Sequence, residues 1–188
     1  LNEKVLEVFK NSSILVPHLH IPLQSGSEQI LKLMNRKYTK EKYEEKINQI
    51  KQTKENISIT TDVIVGFPNE TEEMHKESLE FIKKIGFTKV HVFPYSDRDG
   101  TVASKMENKI DGNIKKRRVR ELLELSEKLE EEYYKKYNGQ TMEVLIEEKK
   151  ENSFIGHTSN FIKVKIEGNY VTNQIYNIKL TKDNIIKS

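Results

Sequence analysis

The stretch that most constrains this chain runs from Ile57 to Gly100. It opens with the β-branched run I-S-I-T-T-D-V-I-V and stops at Gly66-Phe67-Pro68. A strand buried on both faces has this form: continuous Val, Ile and Thr, then a sharp break. Asn69 or Thr71 caps the helix that follows. Glu70, Glu72 and Glu73 place negative charge in its first turn, where the helix dipole favours it. Met74, Phe81, Ile82 and Ile85 form its buried stripe. A second apolar strand, Lys89 to Phe93, then opens into the polar loop Tyr95 to Thr101. Strand, helix, strand with short turns predicts parallel pairing through a right-handed crossover. Ligands of such sheets gather at the carboxyl ends of the strands. Here those ends are Gly66-Phe67-Pro68-Asn69-Glu70 and Tyr95-Ser96-Asp97-Arg98.

The preceding residues repeat the pattern. Leu1 to Lys10 reads as the end of a helix, closed by Asn11-Ser12-Ser13. Ile14 to Leu23 is a strand candidate bounded by Pro17 and Pro22, neither of which donates a ladder hydrogen bond. Gln24-Ser25-Gly26-Ser27 is a polar turn, and Ser27 with Glu28 opens a short helix carrying Ile30, Leu31 and Met34. Free backbone N–H groups at such a turn suit an anion or a sugar hydroxyl; the alternative is an ordinary strand-to-helix turn. Tyr38 to Lys54 is a further helix, capped by Thr39, with Glu41 in its first turn and Tyr43, Ile47 and Ile50 as its stripe. Three β/α units in series predict an α/β sheet or part of a barrel.

A longer helix, Ile114 to Asn138, follows Gly112, with Leu122, Leu125, Leu129 and Tyr133 on its apolar face. Its first turns hold Lys115, Lys116, Arg117, Arg118 and Arg120. Cations at a helix N-terminus are unfavourable unless an anion offsets them, so the cluster reads either as a phosphate site or as a solvated face. Asn138-Gly139 ends the helix, and the period then changes to two. Thr141 to Glu147, Phe154 to His157, Phe161 to Ile166 and Ile175 to Leu180 read as short strands of a small β-barrel of OB-like size. Phe154, His157, Phe161 and Tyr170 alternate with Lys163 and Lys165, a pattern that stacks bases and holds phosphates, although some of these rings belong to the core.

Composition narrows the chemistry. The 188 residues contain no cysteine, which removes disulfides, thiolate nucleophiles and Cys-ligated metals or clusters from this chain. His18 and His20 share a strand face, but two ligands make a poor metal site, and no Ser-His-Asp order or P-loop occurs. The net charge of +3 is compatible with nucleic acid without requiring it. No apolar run is long enough to span a membrane, so the expected location is the cytoplasm. The first residue is not Met and lies inside an amphipathic pattern, Val5, Leu6 and Phe9, which reads as part of a longer protein.

Three long motifs occur in order: H-L-H-I-P-L-Q-S-G-S-E-Q-I-L-K-L-M-N-R-K-Y-T, T-T-D-V-I-V-G-F-P-N-E-T-E-E and H-V-F-P-Y-S-D-R-D-G-T. Together they resemble the radical S-adenosylmethionine methylthiotransferases. The stretch after Gly139 is similar to the RNA-binding TRAM domain that ends these enzymes. The third motif and F-I-G-H-T-S-N-F-I-K-V are most like the branch acting on threonylcarbamoyladenosine next to the anticodon of tRNA. The isopentenyladenosine and ribosomal-protein branches fit less well.

The resemblance implies a partial TIM-type barrel at residues 1–138, of which this chain carries about three β/α units, and a TRAM barrel at 139–188. It implies an enzyme that cleaves S-adenosylmethionine with one 4Fe-4S cluster, abstracts hydrogen from adenine C2 and delivers sulfur with a second cluster. Its partners are the tRNA anticodon stem-loop, an electron donor and the amino-terminal half of the same protein. By carry-over, Gln24 and Ser25 approach the cofactor ribose or methionine. Val65, Gly66, Phe67 and Pro68 lie beside the adenine, and Tyr95 lines the last strand end with Ser96. Arg36 and Tyr38 face substrate or stabilise the barrel mouth, and Arg98 lies at the last strand end near cofactor or substrate. Lys115, Lys116, Arg117 and Arg118, with His157, Phe161 and Lys163 of the barrel, hold tRNA. Gly66 leaves room for a flat base, so a Val there is expected to crowd the adenine.

The family's C-x-x-x-C-x-x-C motif is absent. The chain alone is therefore expected to hold no cluster, to be inactive, and to expose a sheet edge and apolar surface. Two other readings stand beside this one: a non-catalytic RNA-binding protein with a degenerate α/β half, and an unrelated barrel enzyme taking a phosphorylated metabolite at Gln24-Ser25-Gly26.

Overall fold

The computed structural model describes residues 2–187. Helix α1 (Glu3–Asn11), capped by the Asn2 side chain, leads to the short strand β1 (His18–His20). Helices α2 (Glu28–Leu33) and α3 (Lys40–Lys51) precede β2 (Ser58–Val65). Helix α4 (Glu72–Ile85) joins β2 to β3 (Lys89–Pro94). The sheet has the order β1-β2-β3, with both pairings parallel. Thr71, not Asn69, caps α4, accepting from the Met74 N–H, and Gly86 ends the helix in the left-handed region with φ of 67°.

Two expectations change here. The first strand was expected over Ile14 to Leu23, but only His18–His20 pairs continuously. The prolines break the ladder, and Thr61 takes it over: its Oγ1 donates to the Ile21 carbonyl at 2.7 Å and accepts from the Leu23 N–H at 2.8 Å. Nor is β2 equally buried on both faces. Ile59, Thr61, Val63 and Val65 are buried, whereas Thr60, Asp62 and Ile64 between them are half-buried. Helices cover one face of the sheet, and the other carries a polar row of His18, His20, Thr60, Asp62, Lys89 and His91. On this face His20 Nε2 lies 3.2 Å from an Asp62 oxygen.

The sheet edges differ. Val90 points its backbone groups outward from β3, and both meet the Ser126 hydroxyl of helix α5 (Gly112–Lys135) at 2.9 and 3.2 Å. Strand β1 lies at the other edge, beside exposed Val5, Val8, Ile14, Leu15 and Val16.

Beyond α5, strands β4 (Thr141–Lys150), β5 (Ser153–Thr158), β6 (Lys163–Glu167) and β7 (Gln174–Lys179) form an antiparallel sheet of order β6-β5-β4-β7. Its two edges are drawn together by the end of the chain: Lys165 N–H donates to the Asn184 carbonyl and Ile186 N–H to the Lys163 carbonyl. The molecule has two cores. Leu23, Ile47, Ile59, Val63, Ile82, Phe87 and Leu122 belong to the first, and Val144, Ile146, Ile162, Val164 and Leu180 to the second. Helix α5 serves both, through Leu122 and Leu129 at one end and Tyr133 and Tyr134 at the other. No helix among the described residues is long and apolar enough to cross a membrane.

Candidate functional site

A cavity of about 480 Å³ opens at the carboxyl ends of the three strands. Its floor is the uncovered face of the sheet: Asp62 and Ile64 from β2, Phe93 and Pro94 from β3, and Gln24, which bridges to Val63 just past β1. Gln24 has φ of 68°, a costly conformation for a residue with a side chain, and backbone bonds to Asp62 and Ile64 hold it there. Phe67 and Tyr95 make an aromatic wall, edge to face at 5.1 Å. Arg36, Ser96, Arg98, Thr101 and Ala103 form the rim.

Local rules fix the rim. Leu-Met-Asn-Arg ends α2 in a Schellman turn: Asn35 takes φ of 56°, and the Arg36 N–H reaches back to the Leu31 carbonyl at 2.9 Å. Tyr38 then donates to the Leu23 carbonyl at 2.9 Å, which anchors the segment carrying Arg36 beside the strand end. Across the cavity, Thr101 donates through its N–H and its hydroxyl to the Arg98 carbonyl, and Gly100 supplies φ of 79° between them. Lys109 joins Asp97 and the Ala103 carbonyl, tying down the loop between β3 and α5.

The turn after β2 is organised by a buried ion pair. Glu70 Oε2 accepts from the Gly66 N–H at 2.7 Å and from Arg118 Nη1 at 2.9 Å, and the same Nη1 also donates to the Glu70 carbonyl. Burial pushes the Glu70 carboxyl up from its ordinary range, against the opposing pull of the Gly66 N–H and Arg118. Arg118 Nη2 reaches Glu72 at 3.3 Å, Arg117 grips Glu72 through both nitrogens, and Arg117 also reaches Glu121. The hydrogen bond from Arg117 is the main reason the Glu72 carboxyl drops to about 2.

This arrangement sorts the residues singled out by sequence. Gln24, Arg36, Phe67, Tyr95 and Arg98 come together around the cavity. Ser25 does not: its hydroxyl is fully buried against Ser78 at 3.2 Å. The neighbouring N–H groups, free for an anion on one of the two readings of this turn, donate to Ser78 (from Gly26) and to Ser25 (from Ser27), as in an ordinary strand-to-helix turn. Val65 points into the core, one position out of phase with the cavity-lining Ile64. Pro68 is buried and Tyr38 acts as an anchor; neither lines the cavity. Gly66 makes room for Lys115, whose Cγ would lie 2.2 Å from an added Cβ and whose Nζ reaches the Tyr95 carbonyl at 3.4 Å. The side chain introduced by Gly66→Val would therefore strike this chain's own lysine.

The basic cluster on α5 is likewise used internally. Its offsetting anions are Glu70, Glu72 and Glu121, so Arg117 and Arg118 are not free for phosphate, and Lys115 lies over Gly66. Of the five, Lys116 and Arg120 are exposed without an ion pair among the described residues. Asp62, Ile64, Phe93, Thr101 and Ala103 were not anticipated as cavity residues. For Asp62 and Ile64, the alternation within β2 was the available signal.

The antiparallel module docks at the opposite ends of the strands. Phe161, with φ of 62°, stacks on His18 at 4.1 Å and 25°. The Tyr133 hydroxyl donates to the Asn56 carbonyl just before β2 and accepts from Asn160 Nδ2 at 2.8 Å. His157 pairs with Glu147 at 2.7 Å and lies opposite Lys163 in the register. His157, Phe161 and Lys163 are thus brought together, but one face of the Phe161 ring is taken by the joint. No group of three or more metal-ligating side chains occurs among the described residues.

The radical SAM superfamily model matches residues 1–82. A threonylcarbamoyladenosine tRNA methylthiotransferase of Bacillus subtilis is 43% identical over 188 residues, covering 97% of this chain and 42% of its own length. A tRNA-2-methylthio-N(6)-dimethylallyladenosine synthase of Aquifex aeolicus is 44% identical over 159 residues, covering 85% of this chain and 36% of its own. The chain thus spans less than half the length of these curated relatives. Among solved structures, the radical SAM enzyme coproporphyrinogen III oxidase of Escherichia coli matches with a TM-score of 0.58 at 18% identity, over 69% of this chain and 30% of that one. That likeness concerns the fold. With the ordered motifs and the strand-end cavity, these matches identify the chain as a member of the radical SAM methylthiotransferase family.

Proposed function

We propose that this chain is one side of the reaction chamber of a cytoplasmic tRNA-modifying enzyme that places a methylthio group on C2 of threonylcarbamoyladenosine beside the anticodon. The observation that carries this reading is the convergence of Gln24, Phe67, Tyr95, Arg36 and Arg98 on one cavity at the strand ends. An aromatic wall suits a flat adenine ring, and a floor with Gln24 and Asp62 offers polar partners to a ribose. These residues fit S-adenosylmethionine, which supplies a reactive adenosyl group and a methyl group. They do not fit an iron–sulfur cluster, because the chain has no cysteine. Any cluster must be held by other residues of the whole protein, and the chain's own part is to bind, orient and exclude water.

The antiparallel module, with Lys163, Lys165 and exposed Lys116 of α5, is proposed to hold the tRNA backbone. The test uses the complete reading frame, reconstituted with iron and sulfide, supplied with S-adenosylmethionine, a reductant and tRNA, and read by nucleoside mass spectrometry. The methylthiolated threonylcarbamoyl nucleoside is expected. Product on dimethylallyladenosine alone would replace the substrate. RNA binding without any product would favour a binding protein.

A further inference from the structure

We infer that Asn108 and Lys109, near the end of the loop between β3 and α5, are positioning residues: they hold the aromatic wall of Phe67 and Tyr95 at the spacing that receives the adenosyl group. The inference rests on the cofactor reading of the cavity above and adds the residues that set its shape. Neither residue lines the cavity, and neither falls within the three ordered motifs. Each reaches a different half of the wall.

Asn108 takes the half that follows β2. Its Nδ2 donates to Asn69 Oδ1 at 2.8 Å, and its carbonyl accepts from the Asn69 N–H at 3.1 Å. Both asparagines are left-handed, with φ of 54° and 69°, and Asn69 lies two residues beyond Phe67. Lys109 takes the half that follows β3. Its Nζ donates to Asp97, to the Ala103 carbonyl at 2.8 Å and to the Ser104 carbonyl at 3.1 Å, which uses all three N–H bonds of the ammonium. The same nitrogen lies 5.5 Å from the centre of the Tyr95 ring, and the Tyr95 hydroxyl donates to Asp97 at 3.0 Å. The ring is thus held at its hydroxyl, over its face and by its contact with Phe67.

A single ion pair as exposed as Lys109 and Asp97 contributes little. An ammonium shared among a carboxylate, two carbonyls and a ring does more, because one side chain closes the loop and fixes Tyr95 together. A wall ordered before the ligand arrives avoids an ordering cost on binding, so loosening it should appear as lost affinity and not as lost fold.

The experiment measures the Kd of labelled S-adenosylmethionine for the complete, cluster-reconstituted reading-frame protein by equilibrium dialysis, with the urea midpoint of each variant alongside. Tyr95→Ala is expected to weaken binding about tenfold. Lys109→Met is expected to weaken it about threefold to tenfold at an unchanged midpoint. Lys109→Arg, which still pairs with Asp97 and stacks on the ring, should recover most of that loss. Asn108→Gly keeps the left-handed backbone but lacks the amide, and should weaken binding about twofold to threefold. In the Tyr95→Ala protein, Lys109→Met is expected to add nothing, since the ring it positions is gone. Equal weakening with and without the Tyr95 ring would overturn the inference, as would unchanged affinity in Lys109→Met. A midpoint that falls in step with the affinity would also overturn it, since the lysine would then serve only the fold. If Tyr95→Ala itself binds as tightly as the unsubstituted protein, the cofactor reading of the cavity falls, and the inference falls with it.

Discussion

At the scale of single residues, the candidate site depends on side chains and backbone conformations that are costly by themselves. Gly66 is the sharpest case. Its φ of 75° suits glycine, and the stem of Lys115 lies in the space a Cβ would occupy. Gly66→Ala is expected to cost about 1–2 kcal/mol in urea unfolding, from backbone strain plus overlap. Adding Lys115→Ala should return the overlap part and leave the strain part. A neutral Gly66→Ala would mean the turn relaxes freely and is a poor support for Phe67. Ser126 works in the opposite way, by supplying what a strand lacks. Its hydroxyl satisfies both outward backbone groups of Val90. Ser126→Ala is expected to cost about 1–3 kcal/mol, the penalty for leaving buried groups unpaired. Faster amide exchange at Val90, and not throughout β3, is the accompanying signature.

At the scale of elements, the ends of α4 and α5 are joined by a chain of carboxylates and guanidiniums running from Glu70 through Arg118, Glu72 and Arg117 to Glu121. Two of its carboxyls respond to pH with opposite signs. The folded protein depresses Glu72 from the ordinary 4.5 to about 2, so its contribution is complete above pH 4.5 and is lost as the pH falls toward 2. Glu70 is raised by burial, so its ionised form is a cost of folding that protonation relieves. The stability gap between the natural protein and Glu72→Gln is therefore expected to be level at neutral pH and to close in acid, modestly, because Glu72 is over a third exposed. A gap independent of pH would show that the pairing contributes nothing. Arg118→Met should behave differently: a deficit of about 3–5 kcal/mol at neutral pH, since a buried carboxylate loses its partner, shrinking as acid protonates Glu70.

The elements themselves were largely legible. β2 and β3 fall within a residue of their expected bounds, and α4 starts at Thr71, one of its two expected caps, because period and caps are local properties. β1 came out short because a ladder needs N–H groups that Pro17 and Pro22 lack. The role of Arg117 and Arg118 was not legible, because Glu70 and Glu72 lie more than forty residues away in the chain and spacing cannot show that they meet. The cavity floor was only partly legible. Thr60 and Asp62 mark one face of β2 as polar, and Ile64 shares that face by alternation, but Ile64 is as apolar as Val65, so the signal is weak within a run of Val, Ile and Thr.

At the scale of the whole molecule, the question is whether α5 is a boundary or a shared part. The sequence placed a division after Asn138, where the period changes. The structure runs one helix through both cores, with Leu122 and Leu129 in the first and Tyr133, Tyr134 and Tyr137 from its end in the second. Each of these three tyrosines is at most 9% exposed. Burying a large side chain is worth roughly 1.5–3 kcal/mol, so three of them approach the whole stability of a small module, about 5–15 kcal/mol. Tyr133 also holds Asn160, which is fully buried and accepts a hydrogen bond from Thr158. Residues 139–188 alone should therefore lack part of their core and leave a buried amide unpaired. They are expected to give a poorly dispersed amide NMR spectrum and to aggregate. Residues 128–188, which restore the tyrosines, should give a dispersed one. Tyr133→Phe in the longer piece should lie between them, keeping the ring but losing the hydroxyl that Asn160 needs. A well-dispersed spectrum from 139–188 would show that the antiparallel sheet is self-sufficient. The tyrosines would then be a clasp on a finished module, and tRNA binding could be assigned to that module by measuring it alone.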